Sequence, residues 1–259
     1  MTRSRAFHGQ PFKIIAFSPH LDDAVMSVGG LLAAAKETGW DMLVCTLFSG
    51  DAGSLVPPSA LAFHKNCGLR DNAVEVRREE DKVALGILGV RSYHASFQDA
   101  IYRWRDGSPL CQYSGAMFDL RTRDEPLLKQ QLSLVIAEIL EQNCPDQVWT
   151  CSAQGGHIDH RHTYEAVSKV CREQGKELLL WEDLPYAIGR RLPPKIEMEN
   201  LLVPEDIHIQ LKLTAIENYR SQIRGLWPTG YDWEKDFIRH ARQRFSESGT
   251  VEPLWKAKS

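Results

Sequence analysis

Apolar residues in this chain collect into short unbroken runs that alternate with longer stretches of helical spacing. The run at 12–17, "FKIIAF", predicts a short strand buried on both faces, because a half-solvated strand would alternate. Residues 24–38 are apolar on most sides and predict a helix that stops near Gly39. "DMLVCTLFSG" predicts a second strand, so the chain opens as a strand–helix–strand unit. The alternation continues with a helix over 71–88, a third strand over 90–96 and a helix over 127–142. A fourth strand in "DQVWTC", a helix over 159–173 and a fifth strand in "KELLLWED" follow. Such alternation predicts an α/β fold, a mainly parallel sheet with helices on both faces. "RRLPPKIEMEN" reads as a turn-rich connection, and 208–245 as helical with a break at "GLWPTGYDW".

Two features interrupt this pattern. Gly29 and Gly30 fall inside the first helix, where each costs about 1 kcal/mol relative to alanine. The compensation expected is close approach of the helix to the sheet or to another backbone. The segments 49–69 and 98–125 read as long and irregular, and loops of that length are usually functional or disordered. Their aromatic residues Phe63, Tyr102, Trp104, Tyr113 and Phe118 favour ordered walls or lids over linkers.

Composition narrows the function classes. A chain of 259 residues, 43% hydrophobic and 25% charged, suits one soluble domain, and a net charge of -3 gives no basic surface for nucleic acid. No apolar stretch approaches the roughly 20 residues of a membrane span, and the first residues carry no apolar core of a secretory leader. Six cysteines without CxxC spacing suggest neither a zinc ribbon nor a disulfide framework, so reduced thiols and a cytoplasmic location are expected.

Chemistry concentrates where the strands end. His20, Asp22 and Asp23 follow the first strand, Asp51 in "SGDAG" follows the second, and "CSAQGGHIDHRH" follows the fourth. Ligands in open parallel sheets bind beyond the carboxyl ends of strands. A catalytic zinc site takes three protein ligands from His, Asp and Glu and keeps a position open for water. His20 and Asp23 can supply two and one histidine of the later cluster the third, which leaves Asp22 beside the metal-bound water as general base. The bland alternative is a helix N-terminus, where aspartates are favoured as caps and by the dipole. From the local stretch alone the two readings are about even. The two glycines ahead of His157 suggest close backbone approach there. His162, two residues from His160 on a helix, should point elsewhere. Asp99, Tyr102, Arg103, Asp183 and Tyr186, just past strands, are pocket candidates with turn and packing roles as rivals.

"PHLDDAVMSVGG" resembles the HPDDE-type signature of the PIG-L/LmbE-like N-acetylglucosaminyl deacetylases, and "GGHIDHRHTYEAV" resembles their HxDH motif. "VRREEDKVALGILGV" and "KLTAIENYRSQ" resemble two further segments of that family, in family order from about residue 13 to 222. The resemblance implies a Rossmann-like fold and a single LmbE-like deacetylase domain over 1–259, with active-site loops near 49–69 and 98–125. It implies zinc, with Fe(II) as the alternative for two-His-one-carboxylate ligation, bound by His20, Asp23 and His160. Asp22 matches the general base, and His157 matches the residue that stabilises the tetrahedral intermediate and protonates the leaving amine, with Asp159 orienting it. Arg77 matches a substrate-pocket arginine, and Asp51, Tyr102 and Arg103 are further substrate-binding candidates. Leu21 and Ile158 replace frequent prolines, and Ala24 replaces a frequent glutamate, which puts one contact of that glutamate in doubt.

The activity expected is hydrolysis of an N-acetyl or related acyl group on an amino-sugar or similar small glycoside, a secondary-metabolite intermediate included. No nucleic-acid or membrane partner is expected, and self-association is left open. One rival is a metal-dependent phosphoesterase, mononuclear or dinuclear; the dinuclear form needs more ligands than the three visible here. The other is a catalytically degenerate carbohydrate-binding member of the family, to which Ala24 gives slight support.

Overall fold

The computed structural model describes residues 11–113, 115–119, 125–194, 196–199 and 201–257. In chain order its strands are β1 (Lys13–Ser18), β2 (Asp41–Thr46), β3 (Arg91–His94), β4 (Trp104–Arg105), β5 (Ser108–Pro109), β6 (Gln147–Cys151), β7 (Leu178–Trp181) and β8 (Trp255–Lys256). Its helices are α1 (Asp23–Glu37), α2 (Pro58–Cys67), α3 (Ala73–Ile87), α4 (Pro126–Asn143), α5 (Ile158–Glu173), α6 (Asp206–Ile216), α7 (Arg220–Leu226) and α8 (Trp233–Ser248).

The strands β1, β2, β6 and β7 are mostly apolar and buried along almost their whole length because both faces of the sheet are covered. Ile14 and Ala16 of β1 point into one apolar cluster, with Leu31 and Leu32 of α1, Leu85 of α3 and Leu213 of α6. Ile15 and Phe17 point into the opposite cluster, with Ile136 of α4 and Val167 of α5. The main sheet has the order β3-β2-β1-β6-β7-β8. All its pairings are parallel except that of β7 with β8. That antiparallel edge strand goes beyond the five expected; two residues carry no alternation to read.

The chain runs outward from β1 through β2 to β3 and then returns to pair β6 against the other side of β1. Strand order therefore reverses between β1 and β6, the place where open α/β sheets leave a crevice beyond the strand ends. His20 follows β1 and "GGHIDH" follows β6, so both motifs enter that crevice.

Three local expectations need correction. Residues 49–69 are not wholly irregular, since α2 occupies 58–67. Pro58 opens it, where a missing N–H leaves no bond unmade, and Gly68 (φ 70°) closes it in the left-handed region. Few of its residues are buried, which erased the apolar periodicity. Within 98–125 the hairpin β4–β5 and two short 3-10 turns, Ala100–Tyr102 and Ala116–Phe118, replace part of the irregular stretch; Ser114 and residues 120–124 lie outside the described residues. Finally, α1 is broken at Val28 (φ −129°, ψ 23°). The close approach at its glycines is to side chains, those of Lys212 and Ile209 on α6 and of Glu252, rather than to the sheet or another backbone. A Cβ on Gly29 would lie 2.9 Å from Lys212 Cγ, and one on Gly30 2.8 Å from Ile209 Cδ1.

Candidate active site

Ser18, the last residue of β1, sets the turn that follows. Its hydroxyl donates to the His20 carbonyl (2.8 Å) and accepts from the Ala24 N–H (3.1 Å). The turn brings the Asp23 carboxylate back onto its own His20: Oδ2 accepts the His20 N–H (2.9 Å) and lies 3.1 Å from His20 Nδ1. His160, near the start of α5, places Nε2 3.1 Å from the same oxygen. Two imidazole nitrogens from opposite sides of the crevice thus converge on one carboxylate, and all three residues are buried.

These residues fit a divalent metal. His160 Nε2 is buried and makes no hydrogen bond despite its proximity to Asp23. Two imidazoles and one carboxylate are a donor set for zinc, and also for Fe(II). Each ring nitrogen facing away from Asp23 meets a further carboxylate: His160 Nδ1 lies 2.6 Å from Asp183 Oδ1, and His20 Nε2 lies 3.1 Å from Asp159 Oδ2. Carboxylates so placed fix tautomer and ring orientation in metal-ligating histidines. One ring nitrogen from each of His20, His157 and His160 lies within 4.8 Å of the others, but no carboxylate is hydrogen-bonded to the His157 ring. Burial and then the His20 charge push its pKa down to about 3. Its Nδ1 accepts the Asp159 N–H (3.1 Å), so the neutral ring carries its proton on Nε2.

Asp22 lines the same cavity, and its side chain makes no capping hydrogen bond. The helix N-terminus therefore does not account for it. Burial and the neighbouring Asp23 push its carboxyl up to about 8, against the pull of Arg77 and His20. Burial would lower His160, but Asp23 and Asp183 raise it to about 9. His20 is likewise depressed by burial and raised by more, through Asp99, Asp159 and Asp23.

The cavity holds about 350 Å³. Arg77 lines it, buried, with Nη1 3.3 Å from Asp99 Oδ2. A larger hollow of about 640 Å³ between Ser152, Pro193 and Trp255 has Glu197 and Lys256 as its charged lining and no histidine, so chemistry locates the site in the smaller one.

Four candidates stand elsewhere. Asp51 is exposed and pairs with Arg78, outside the cavity. Tyr102 is buried behind its wall, with its hydroxyl 2.8 Å from His64 Nε2. Arg103 is also buried behind it, paired bidentately with Glu125 (2.9 and 2.8 Å) and 2.7 Å from Asp159 Oδ1. Asp159 is fully buried; a carboxylate oxygen comes within 4.8 Å of a His157 ring nitrogen without a hydrogen bond to it, and the carboxylate instead receives the Ala100 N–H (2.8 Å) and faces His20 and Arg103. Its side chain steadies His20, and the hydrogen bond to the His157 ring comes from its backbone N–H. His162 points away, to Glu125 (3.1 Å). Ala24 sits in the apolar cluster around α1, so no acidic contact exists at that position here.

Several lining residues were not singled out, among them Met26, Asn66, Gln222 and Leu226. Asn66 belongs to the helix missed in 49–69, where "PPSALAFHKNCG" carries the start and stop signals of a helix. Gln222 ends the "KLTAIENYRSQ" segment, so its motif was visible but its place was not. Gly155 and Gly156 do mark a close approach: a Cβ on Gly155 would lie 2.7 Å from the Tyr186 ring, and Gly156 has φ +79°.

Residues 15–171 match the family model described as "PIG-L: GlcNAc-PI de-N-acetylase". The 2'-N-acetylparomamine deacetylase of Streptomyces fradiae is 29% identical over 237 residues, 89% of this chain and 78% of that protein. A 1D-myo-inositol 2-acetamido-2-deoxy-alpha-D-glucopyranoside deacetylase of Corynebacterium glutamicum (strain R) is 25% identical over 234 residues, 83% and 75% of the two chains. The zinc-inhibited form of the teicoplanin deacetylase Orf2 superposes with a TM-score of 0.82 at 32% identity, covering 94% of this chain and 97% of that one. Among the described residues no helix is long and apolar enough to cross a membrane.

Proposed function

The chain belongs to the PIG-L, GlcNAc-PI de-N-acetylase family, and from that premise we propose that it is a zinc-dependent hydrolase that removes the N-acetyl group of an amino-sugar carried in a small glycoside. The observation that carries the reading is the Asp22 carboxyl, uncapped and aimed into a cavity beside a two-histidine, one-carboxylate cluster. His20, Asp23 and His160 would hold the metal, which supplies Lewis-acid polarisation and a lowered pKa for water.

The protein's own groups then divide the remaining work. Asp22 takes the proton of the attacking water; burial and then the Asp23 charge raise its proton affinity, and a bound cation would offset the second of these. His157 stays neutral, so it donates its Nε2–H to the developing oxyanion rather than acting as a cationic acid. The protonated Asp22 is then the group that returns a proton to the leaving amine. Arg77, held by Asp99, offers a fixed guanidinium for sugar hydroxyls. Related proteins that carry paromamine, inositol and teicoplanin in their names support an amino-sugar substrate with a variable second group.

The test is free-amine release from a panel of N-acetylated amino-sugar glycosides by zinc-loaded protein, with metal content measured alongside. We expect turnover with one zinc per chain. Release of phosphate from phosphoesters, with no amine from the panel, would replace this reading.

A further inference from the structure

The break in α1 lies deep inside the protein, where the backbone N–H and C=O groups on its two sides need partners. Two buried charged residues meet them. The Glu252 carboxylate accepts the N–H groups of Gly30 (3.1 Å) and Leu31 (2.6 Å), in the second half of the helix. Lys212 of α6 donates to the Ser27 carbonyl (3.3 Å), in the first half, and to Glu252 Oε1 (2.6 Å). The first half begins with Asp23 and follows directly on Asp22. The hydroxyl of Ser27 in turn accepts the N–H of Leu184, next to the Asp183 that holds His160 (3.1 and 2.6 Å).

We propose that the Lys212–Glu252 pair is a positioning device: it staples the two halves of broken α1 and so fixes where Asp22 and Asp23 stand relative to His160. This rests on the reading that those residues form the reaction centre. A buried ion pair is a weak source of stability, and an apolar pair of similar shape is often as stable. An uncharged Met–Gln pair, however, leaves the Ser27 carbonyl without the Lys212 donor and offers the Gly30 and Leu31 N–H groups one acceptor oxygen where the carboxylate offers two. Gly29 and Gly30 fit the same account, since a Cβ on either would strike Lys212, or Ile209 and Glu252.

The test compares Lys212→Met, Glu252→Gln and the double variant. Each single change strands a charge or half a network, so Tm falls most for Lys212→Met, and the double variant recovers much of that loss. If the pair positions the turn, the double variant stays low in kcat by about tenfold to a hundredfold, with KM within about twofold, despite the recovered Tm. Its Co(II)-substituted form also shows a visible absorption spectrum shifted from that of wild type, a readout that needs no substrate. A double variant with wild-type kcat and an unchanged cobalt spectrum would overturn the proposal while leaving the functional reading intact. A wild-type protein that binds no cobalt would overturn that reading, and the proposal with it.

Discussion

Asp183 offers the sharpest check of the metal site, because it touches no substrate and lines no part of the cavity. Three donors converge on its two oxygens. Oδ1 lies 2.6 Å from His160 Nδ1, while Oδ2 accepts the Ser152 hydroxyl (2.9 Å) and the Gln154 N–H (3.0 Å). Asp183→Asn keeps the shape but has one acceptor and one NH2. The amide oxygen satisfies Ser152 and Gln154 together, so the NH2 turns toward His160 Nδ1. Nδ1 must then accept, the ring proton moves to Nε2, and Nε2 loses the lone pair that the metal needs. Loss of such a carboxylate typically lowers metal affinity ten- to a hundredfold, about 1.4–2.7 kcal/mol. Nδ1 has this one partner and the ring is fully buried, so we expect the upper end. The assay is competition for Zn(II) against a chelator of known affinity, with Tm of the metal-free protein as the control for folding. Zinc affinity within twofold of wild type would show that His160 Nε2 is not a ligand.

Three further outcomes follow from the structure. Asp22→Asn should retain zinc and lose about 10²–10⁴ in kcat, since it removes the base but none of the ligands; loss of metal instead would place Asp22 in the ligand set. Gly30→Ala should lower Tm by about 5 °C, because its Cβ would sit 2.8 Å from Ile209 Cδ1 and 3.2 Å from the Glu252 carboxylate, a clash that outweighs alanine's helix advantage. Burial raises Glu182, but His240 and Arg244 lower it further, so its folded pKa lies below the usual glutamate value. The stability it contributes is present above the unfolded value and lost as pH falls through the folded one, so Glu182→Gln should flatten the acid limb of Tm against pH; an unchanged limb would remove the pair from the acid response.

Much of this fold was legible because the central strands are buried on both sides and therefore read as unbroken apolar runs. The reversal of strand order was not written locally, yet the motifs after β1 and β6 already marked its two sides. What failed to show were features fixed by partners distant in sequence. The Gly29–Gly30 pair signalled a close approach, but not that Lys212 and Ile209 of α6 make it. The HxDH spacing named Asp159 without telling its side chain from its backbone. The side chain turns to His20, 139 residues away, because Ala100 N–H and Arg103 meet it there. Helix α2 was missed because it lies half in solvent, where its termini are a stronger signal than its face.

The charge of the site makes its own argument for a cation. Five buried carboxylates, Asp22, Asp23, Asp99, Asp159 and Asp183, stand at or behind the crevice with two buried guanidiniums, Arg77 and Arg103, before the half-buried Glu125 that pairs with Arg103 is counted. With neutral histidines the excess is three negative charges, which a low-dielectric interior does not tolerate. Protons fill the deficit: His20, His160 and Asp22 all have raised affinity for them, the latter two to about 9 and about 8. Two of those three groups are the histidines that a metal would occupy, and the third is the base that must be ionised for turnover. Metal binding near neutral pH should therefore expel protons, and each one displaced steepens affinity by tenfold per pH unit. Zinc added to the metal-free protein in weak buffer at pH 7 should release at least one proton per ion bound. Affinity should rise between pH 6 and 8 and level off once pH exceeds the raised pKa values. Flat affinity across that range would mean that the ion binds where no proton stood, and hence not at His20 and His160.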